Sequence, residues 1–281
     1  MHKLDHLAAG NFPYTKFSLD YTLDSLQRLG FSKIELYCSY PHFCLDDADA
    51  GRRNKLKSQL RAHQLSPVCL TPPQFKYPVN IASSDPVRRK KSVEIMDKAL
   101  CSAAALECPL VLIHGGYPLN DESADEAWLR SADSLFHLSR RAETEGLGIV
   151  LETVDVRWKT VLRNSQKAAE MIALVGSDRL HGMLDFITLA HAGESVEQAY
   201  NNLSSNVAHC HFSDGHSDRK RLAHLVPGEG SIDLGAMLNQ LEGCGYSGYV
   251  SIELSAGYED CPEEAIAKCR TWLESRLQNQ S

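Results

Sequence analysis

Eight short apolar runs, each followed by a segment of helical periodicity, leave this chain few folds to choose from. The runs are His6–Ala9, Lys33–Tyr37, Pro67–Thr71, Pro109–His114, Gly148–Glu152, Gly182–Asp185, Val207–Phe212 and Tyr249–Leu254. Helices fit between and after them at Ser18–Leu29, Arg52–His63, Asp85–Leu106, Ser123–Glu145, Ser165–Val175, Ser195–Leu203, Leu234–Gly243 and Pro262–Leu277. Several end where glycine can supply a left-handed cap, as at Gly30 and Gly146. Strongly apolar strands that alternate with helices argue for a parallel sheet covered by helices. The expected class is α/β, a (β/α)8 TIM barrel forming one domain over residues 1–281.

An open doubly wound sheet is the competing topology. Two features favour closure: no glycine-rich dinucleotide loop follows the first run, and polar residues gather at run C-termini all along the chain. In a barrel those ends share one rim, where active sites of this fold lie. A phrase also recurs, Leu29-Gly-Phe-Ser-Lys-Ile-Glu-Leu36 and Cys244-Gly-Tyr-Ser-Gly-Tyr-Val-Ser-Ile-Glu-Leu254, each a helix end, a Gly-aromatic turn and a strand closing in Glu-Leu. It reads as recurrence of the strand-helix unit, since the other units do not share it.

Four of the rim residues form a set. Glu152, Asp185, His211 and Glu253 end the fifth to eighth runs and lie 33, 26 and 42 residues apart, about one strand-helix unit each. Any one alone could cap a helix or be a satisfied core histidine. Together, three carboxylates in an apolar rim would repel one another unless a cation lay between them. Their hard oxygen and nitrogen donors suit one divalent ion such as Mn²⁺, Co²⁺ or Mg²⁺.

Further polar residues are placed near that rim. His114 ends VLIHGGY, whose glycines would let a ligand approach the backbone, and His224 lies in the shaped loop His-Leu-Val-Pro-Gly-Glu-Gly. Arg157, Trp158 and Lys159 follow Glu152, so that Arg157 and Lys159 could meet an anionic or hydroxylated substrate. His42 and Tyr77 are read as pocket walls. No cysteine or serine sits in a motif with a base, which gives nucleophilic catalysis little support.

Net charge is −7, without the basic footprint of a nucleic-acid binder, and the basic run Arg88–Lys91 reads as a solvated helix face. Nine cysteines are scattered singly with no CxxC pair, and no signal peptide is seen. The expectation is a reduced, cytoplasmic protein. No apolar stretch approaches the ~20 residues that span a bilayer.

The motifs IVLE at Glu152, MLD at Asp185, HCHFSD at His211, PGEG at 227–230 and GYVSIEL at Glu253 resemble, in order and spacing, those of the xylose isomerase-like barrel superfamily. Its members include sugar isomerases, ketose 3-epimerases, inosose dehydratases and endonuclease IV. Within it the chain is most similar to the tagatose/psicose 3-epimerase branch, and there to the fructoselysine 3-epimerase type, through LTPPQFKYPVNIASSDPVRRKKSVEIMDKAL, HGGY and HLVPGEG. The resemblance implies a Mn²⁺-type ion held by Glu152, Asp185, His211 and Glu253. It further implies a ketose substrate, with Glu152 and Glu253 as the acid/base pair exchanging the C3 proton; the substrate contacts expected around them are His114, Arg157, Trp158 and His224.

Two positions depart from the simple-ketose enzymes: Trp158 stands where they carry a substrate-binding glutamate, and Thr188 where they carry a histidine. A modified ketose or keto-glycoside fits these departures better than free psicose or tagatose. The endonuclease pattern lacks its strand-three histidine in LTPPQ, and Thr188 and Leu222 replace further ligands, which with the acidic chain argues against DNA repair. Other readings stay open: a lyase or dehydratase of an inosose or 3-keto-glycoside, and a non-catalytic sugar-binding protein. Partners are expected to be a small sugar and, as in related barrels, further copies of the chain, with neither nucleic acid nor membrane.

Overall fold

In the computed structural model, which describes residues 6–74, 78–154, 159–217, 223–255 and 257–278, eight parallel strands close into a barrel. They are β1 (Leu7–Gly10), β2 (Lys33–Tyr37), β3 (Ser66–Thr71), β4 (Leu110–His114), β5 (Gly148–Glu152), β6 (Leu180–Asp185), β7 (Val207–Phe212) and β8 (Tyr249–Ile252). Sequential neighbours pair throughout, and β1 pairs with β8 through Leu7–Val250, Ala8–Ser251 and Ala9–Ile252 to complete the ring. A closed ring leaves no sheet edge exposed. It is the expected (β/α)8 barrel.

The helices are α1 (Leu19–Arg28), α2 (Ala50–Ala62), α3 (Pro86–Leu106), α4 (Ala124–Glu145), α5 (Ser165–Val175), α6 (Phe186–Ala192), α7 (Val196–Asn202), α8 (Leu234–Gly243) and α9 (Pro262–Gln278). Their starts follow local chemistry: the side chains of Ser18, Asp49, Asp85, Ser123, Asn164, Ser195 and Asp233 each accept a backbone N–H of the first turn. The short helix α6 was not expected. Its sequence Phe-Ile-Thr-Leu-Ala-His-Ala is apolar and β-branched enough to read as a continuation of the run ending at Asp185.

Strand residues sort by parity into two layers. Leu70, Val111, Ile113, Ile149, Leu151, Leu184, Cys210, Phe212, Val250 and Ile252 join the helices in one large core. The alternate residues Cys69, Leu112, Val150 and Met183 form a second, small apolar cluster. That is the barrel interior, since successive strand side chains point to opposite faces. The same parity carries Glu35, Thr71, His209, His211 and Ser251 inward, all buried. The interior therefore has an apolar part and a polar part, and the polar part meets the rim.

Candidate active site

Glu152 and Asp185 are the last residues of β5 and β6, His211 lies one residue before the end of β7, and Glu253 follows β8 directly. Strand register sets His114 beside Glu152 and Asp185 beside His211. Each of the four predicted ligands offers an atom within 4.8 Å of the others. At the centre is His211 Nδ1, 2.8 Å from Glu253 Oε2, 3.2 Å from Glu152 Oε1 and 3.8 Å from Asp185 Oδ2.

Asp185 does two things at once. Its Oδ1 accepts the Thr188 N–H at 2.6 Å and caps α6, while Oδ2 is left facing the cluster. The bland expectation for a strand-end carboxylate, a helix cap, and the metal expectation are met by different oxygens of one residue. Asp185 Oδ2, His211 Nδ1 and Glu253 Oε2 are all buried and make no hydrogen bond among the described residues. Buried polar atoms without partners are rare, and several converging on one point fit a cation bound there. The donor set, carboxylate oxygens and one imidazole nitrogen, suits a hard or borderline divalent ion.

The electrostatics point the same way. Burial pushes the Asp185 carboxyl up, and the neighbouring Glu253 and Glu152 charges help carry it to about 6 despite the opposing imidazoles of His224 and His211. Glu152 moves oppositely: burial would raise it, but the hydrogen bond from His114 and the charge of the adjacent His211 ring hold it well below the usual carboxylate range. Burial disfavours the charged form of His211, yet the Glu35 and Glu253 charges drive it well above the ordinary imidazole value. A divalent ion would replace that proton as the counter-charge.

Of the expected substrate contacts, two flank the cluster. His114 Nε2 lies 2.6 Å from Glu152 Oε2, and His224 Nδ1 lies 3.2 Å from Glu253 Oε2. Each acid/base candidate thus has its own imidazole neighbour. Arg157, Trp158 and Tyr77 lie outside the described residues. Lys159 is committed elsewhere, donating to the carbonyls of Leu119, Asn120 and Glu122. His42 is a staple between loops: Asn11 donates to its Nδ1 at 2.7 Å, and its Nε2–H donates to the Phe17 carbonyl. The glycines after His114 serve packing rather than ligand approach, because a Cβ on Gly116 would meet Asn80 Oδ1 at 2.5 Å and one on Gly115 would meet Leu162. A cavity of about 880 Å³ lined by Trp128, Lys159, Arg163 and Lys167 shares no residue with the cluster.

Sequence reasoning missed two parts of the site. Glu35 and His209, both fully buried, bond each other at 2.8 Å, and Glu35 also receives His211 Nε2. The recurring Ile-Glu-Leu phrase was the available signal, since it pairs Glu35 with Glu253. The second part is Asp214, whose carboxylate accepts the backbone N–H groups of Gly215, Gly228, Gly230 and Ile232. This ties the PGEG turn to the end of β7, and Gly230 leaves no room for a side chain against Asp214. The Asp214–Leu225 bridge then fixes the loop carrying His224.

A closed parallel barrel with a carboxylate–imidazole cluster at the C-terminal ends of its strands places the chain among the TIM barrels that build their sites on that rim. More narrowly, it belongs to the xylose isomerase-like TIM barrel family, whose model matches residues 23–276. It is 28% identical over 271 residues to fructoselysine 3-epimerase of Escherichia coli O157:H7, covering 92% of this chain and 95% of that one. Among solved structures it resembles D-psicose 3-epimerase of Clostridium cellulolyticum H10 with D-tagatose, at a TM-score of 0.79 and 20% identity over 97% of this chain and 98% of the other. A zinc-bound protein, IOLI, matches at a TM-score of 0.79 and 20% identity over 98% of both chains.

Proposed function

We propose that this chain is a divalent-metal-dependent epimerase or isomerase acting on a ketose or keto-sugar derivative, with Glu152 and Glu253 exchanging the proton at C3. The observation that carries the reading is the convergence of two carboxylates from different strands, β5 and β8, on His211 Nδ1 beside Asp185. Two bases set on separate strands can address two faces of one planar carbon, which is what inversion of a centre requires. One of the pair removes the C3 proton and the other returns a proton to the opposite face. When bound, the ion held by Glu152, Asp185, His211 and Glu253 would supply the positive charge that acidifies a C–H next to a carbonyl. Mn²⁺ is the proposed ion, and Co²⁺ or Mg²⁺ suits the same donors.

His114 and His224 each lie against one of the two carboxylates, and on this reading they contact the sugar. Thr188 is tied to Asp185 through its N–H and to Thr153 through its hydroxyl, so it does not replace the substrate-binding histidine of simple-ketose enzymes. With the likeness to fructoselysine 3-epimerase, this favours a ketose carrying a substituent. The nine free thiols accord with a cytoplasmic protein, and the one closed barrel accords with a single domain.

Metal-loaded protein incubated in deuterated water with ketoses, glycated amino acids and keto-glycosides tests the reading. Deuterium should enter C3 of the substrate that turns over. A turned-over substrate that keeps its C3 hydrogen overturns epimerisation, and a dehydrated product reassigns the site to a lyase. Glu152→Gln should lower turnover by at least ~10²-fold, the scale of a lost acid/base group, while ligand still binds.

A further inference from the structure

The barrel interior holds a charge that the proposed chemistry does not call for. Glu35, on β2, is a fully buried carboxylate, and leaving a carboxylate in such a place costs several kcal/mol unless it is well paired. Its partners are specific. Oε1 accepts the Thr71 hydroxyl at 2.5 Å and His211 Nε2 at 2.9 Å, and Oε2 accepts His209 Nε2 at 2.8 Å. Two of its three partners are imidazoles, and one of those is the ring whose other nitrogen centres the rim cluster. An ionised carboxylate is acceptor-only, so the His211 nitrogen that faces it must carry the hydrogen. In the neutral ring the lone pair is then left on Nδ1, the atom that lies among Glu152, Asp185 and Glu253.

We propose that Glu35 is a positioning residue of the metal centre: from beneath the rim it fixes the tautomer and ring orientation of His211, and His209 anchors the same carboxylate from the other side. The arrangement explains the register of the group. His209 and His211 are two apart on one strand, so their side chains point the same way, and the Glu35 carboxylate, reaching inward from β2, spans both rings. It also explains why an uncharged filler would not serve equally. A glutamine amide at position 35 can turn its NH₂ toward His211, which would let the ring move its hydrogen to Nδ1 and withdraw the lone pair from the cluster. A partner behind a metal-ligating histidine typically changes metal affinity 10–100-fold when removed.

This inference rests on the metal reading of the rim cluster but not on the identity of the sugar, and its test needs no turnover. Metal-stripped wild-type and Glu35→Gln proteins are titrated with Mn²⁺ and with Zn²⁺ against a chromophoric chelator, with far-UV circular dichroism to check the fold. In parallel, ¹⁵N-histidine-labelled wild-type protein loaded with Zn²⁺ is examined by long-range ¹H–¹⁵N NMR. The expected results are one ion per wild-type chain, an affinity about 10–100-fold weaker in Glu35→Gln, and a His211 ring protonated at Nε2 with Nδ1 shifted by the metal. Should the variant fail to fold, the wild-type NMR result decides alone. Equal affinity in both proteins, or a His211 ring protonated at Nδ1, overturns the positioning role. So does a second wild-type ion that is lost in Glu35→Gln, since Glu35, His209 and His211 would then be ligands themselves. A wild-type protein that binds no ion overturns the metal reading as well, whereas normal binding with no sugar turnover leaves this inference standing and removes only the substrate.

Discussion

At the scale of single residues, Asp185 shows how a site and a fold share atoms. One oxygen caps α6 and the other faces the cluster, so neither use can be lost without disturbing the other. Its carboxyl is raised to about 6 by burial and by Glu253 and Glu152, with the His224 and His211 imidazoles opposing, so in the metal-free protein folding favours its protonated form. A group whose folded value is raised gives its stabilisation below the unfolded value and loses it as pH climbs through the folded one. Metal-free protein should therefore lose stability as pH rises through about 6, and the ion should restore it. The increase in Tm on adding Mn²⁺ should be larger at a pH of about 7.5 than at about 5, read by differential scanning fluorimetry; an equal increase at both would contradict it. The four cluster residues were legible because each closes an apolar run, where a charge is conspicuous. Glu35 and His209 were not, because an acidic or basic residue at alternate strand positions reads as a solvent-facing pleat until closure turns that face inward.

At the scale of elements, the loop after β7 is gathered on Asp214, with Val226 of the same loop set into the main core. Four backbone N–H groups end on that carboxylate, and charge-assisted bonds of this kind are the stronger ones. Asp214→Ala should cost roughly 3 kcal/mol, since several donors lose their acceptor together. Urea unfolding would measure that cost, and limited proteolysis should show the 223–230 segment cut sooner. A change under 1 kcal/mol would mean water replaces the carboxylate. The PGEG motif was visible in sequence as a shaped loop near the rim. What it wraps was not, because Asp214 lies 14 residues away from Gly228 and the loop answers its carboxylate only through backbone N–H groups, which leave no mark in the sequence. Strand and helix order was legible, and among the α-helices of the described residues α6 alone escaped, hidden by its apolar composition.

At the scale of the whole molecule, the cluster hangs from strand ends in a ring closed by β1 and β8 and backed by a continuous helix–strand core. That core owes nothing to a cation. Chelation should leave the far-UV circular dichroism unchanged while lowering Tm by several degrees, the size expected when a tight ligand of the native state is withdrawn. Unfolding on chelation would show instead that the ion holds the barrel together. Every member of the cluster comes from the last two residues of a strand or the first residue after it, and the imidazole at its centre is tied to a carboxylate within the barrel. For an engineer this is a division between chassis and attachment. The rim loops can be exchanged to suit a different sugar, and the proton-transfer centre should survive the graft so long as β2, β5, β6, β7 and β8 keep their ends.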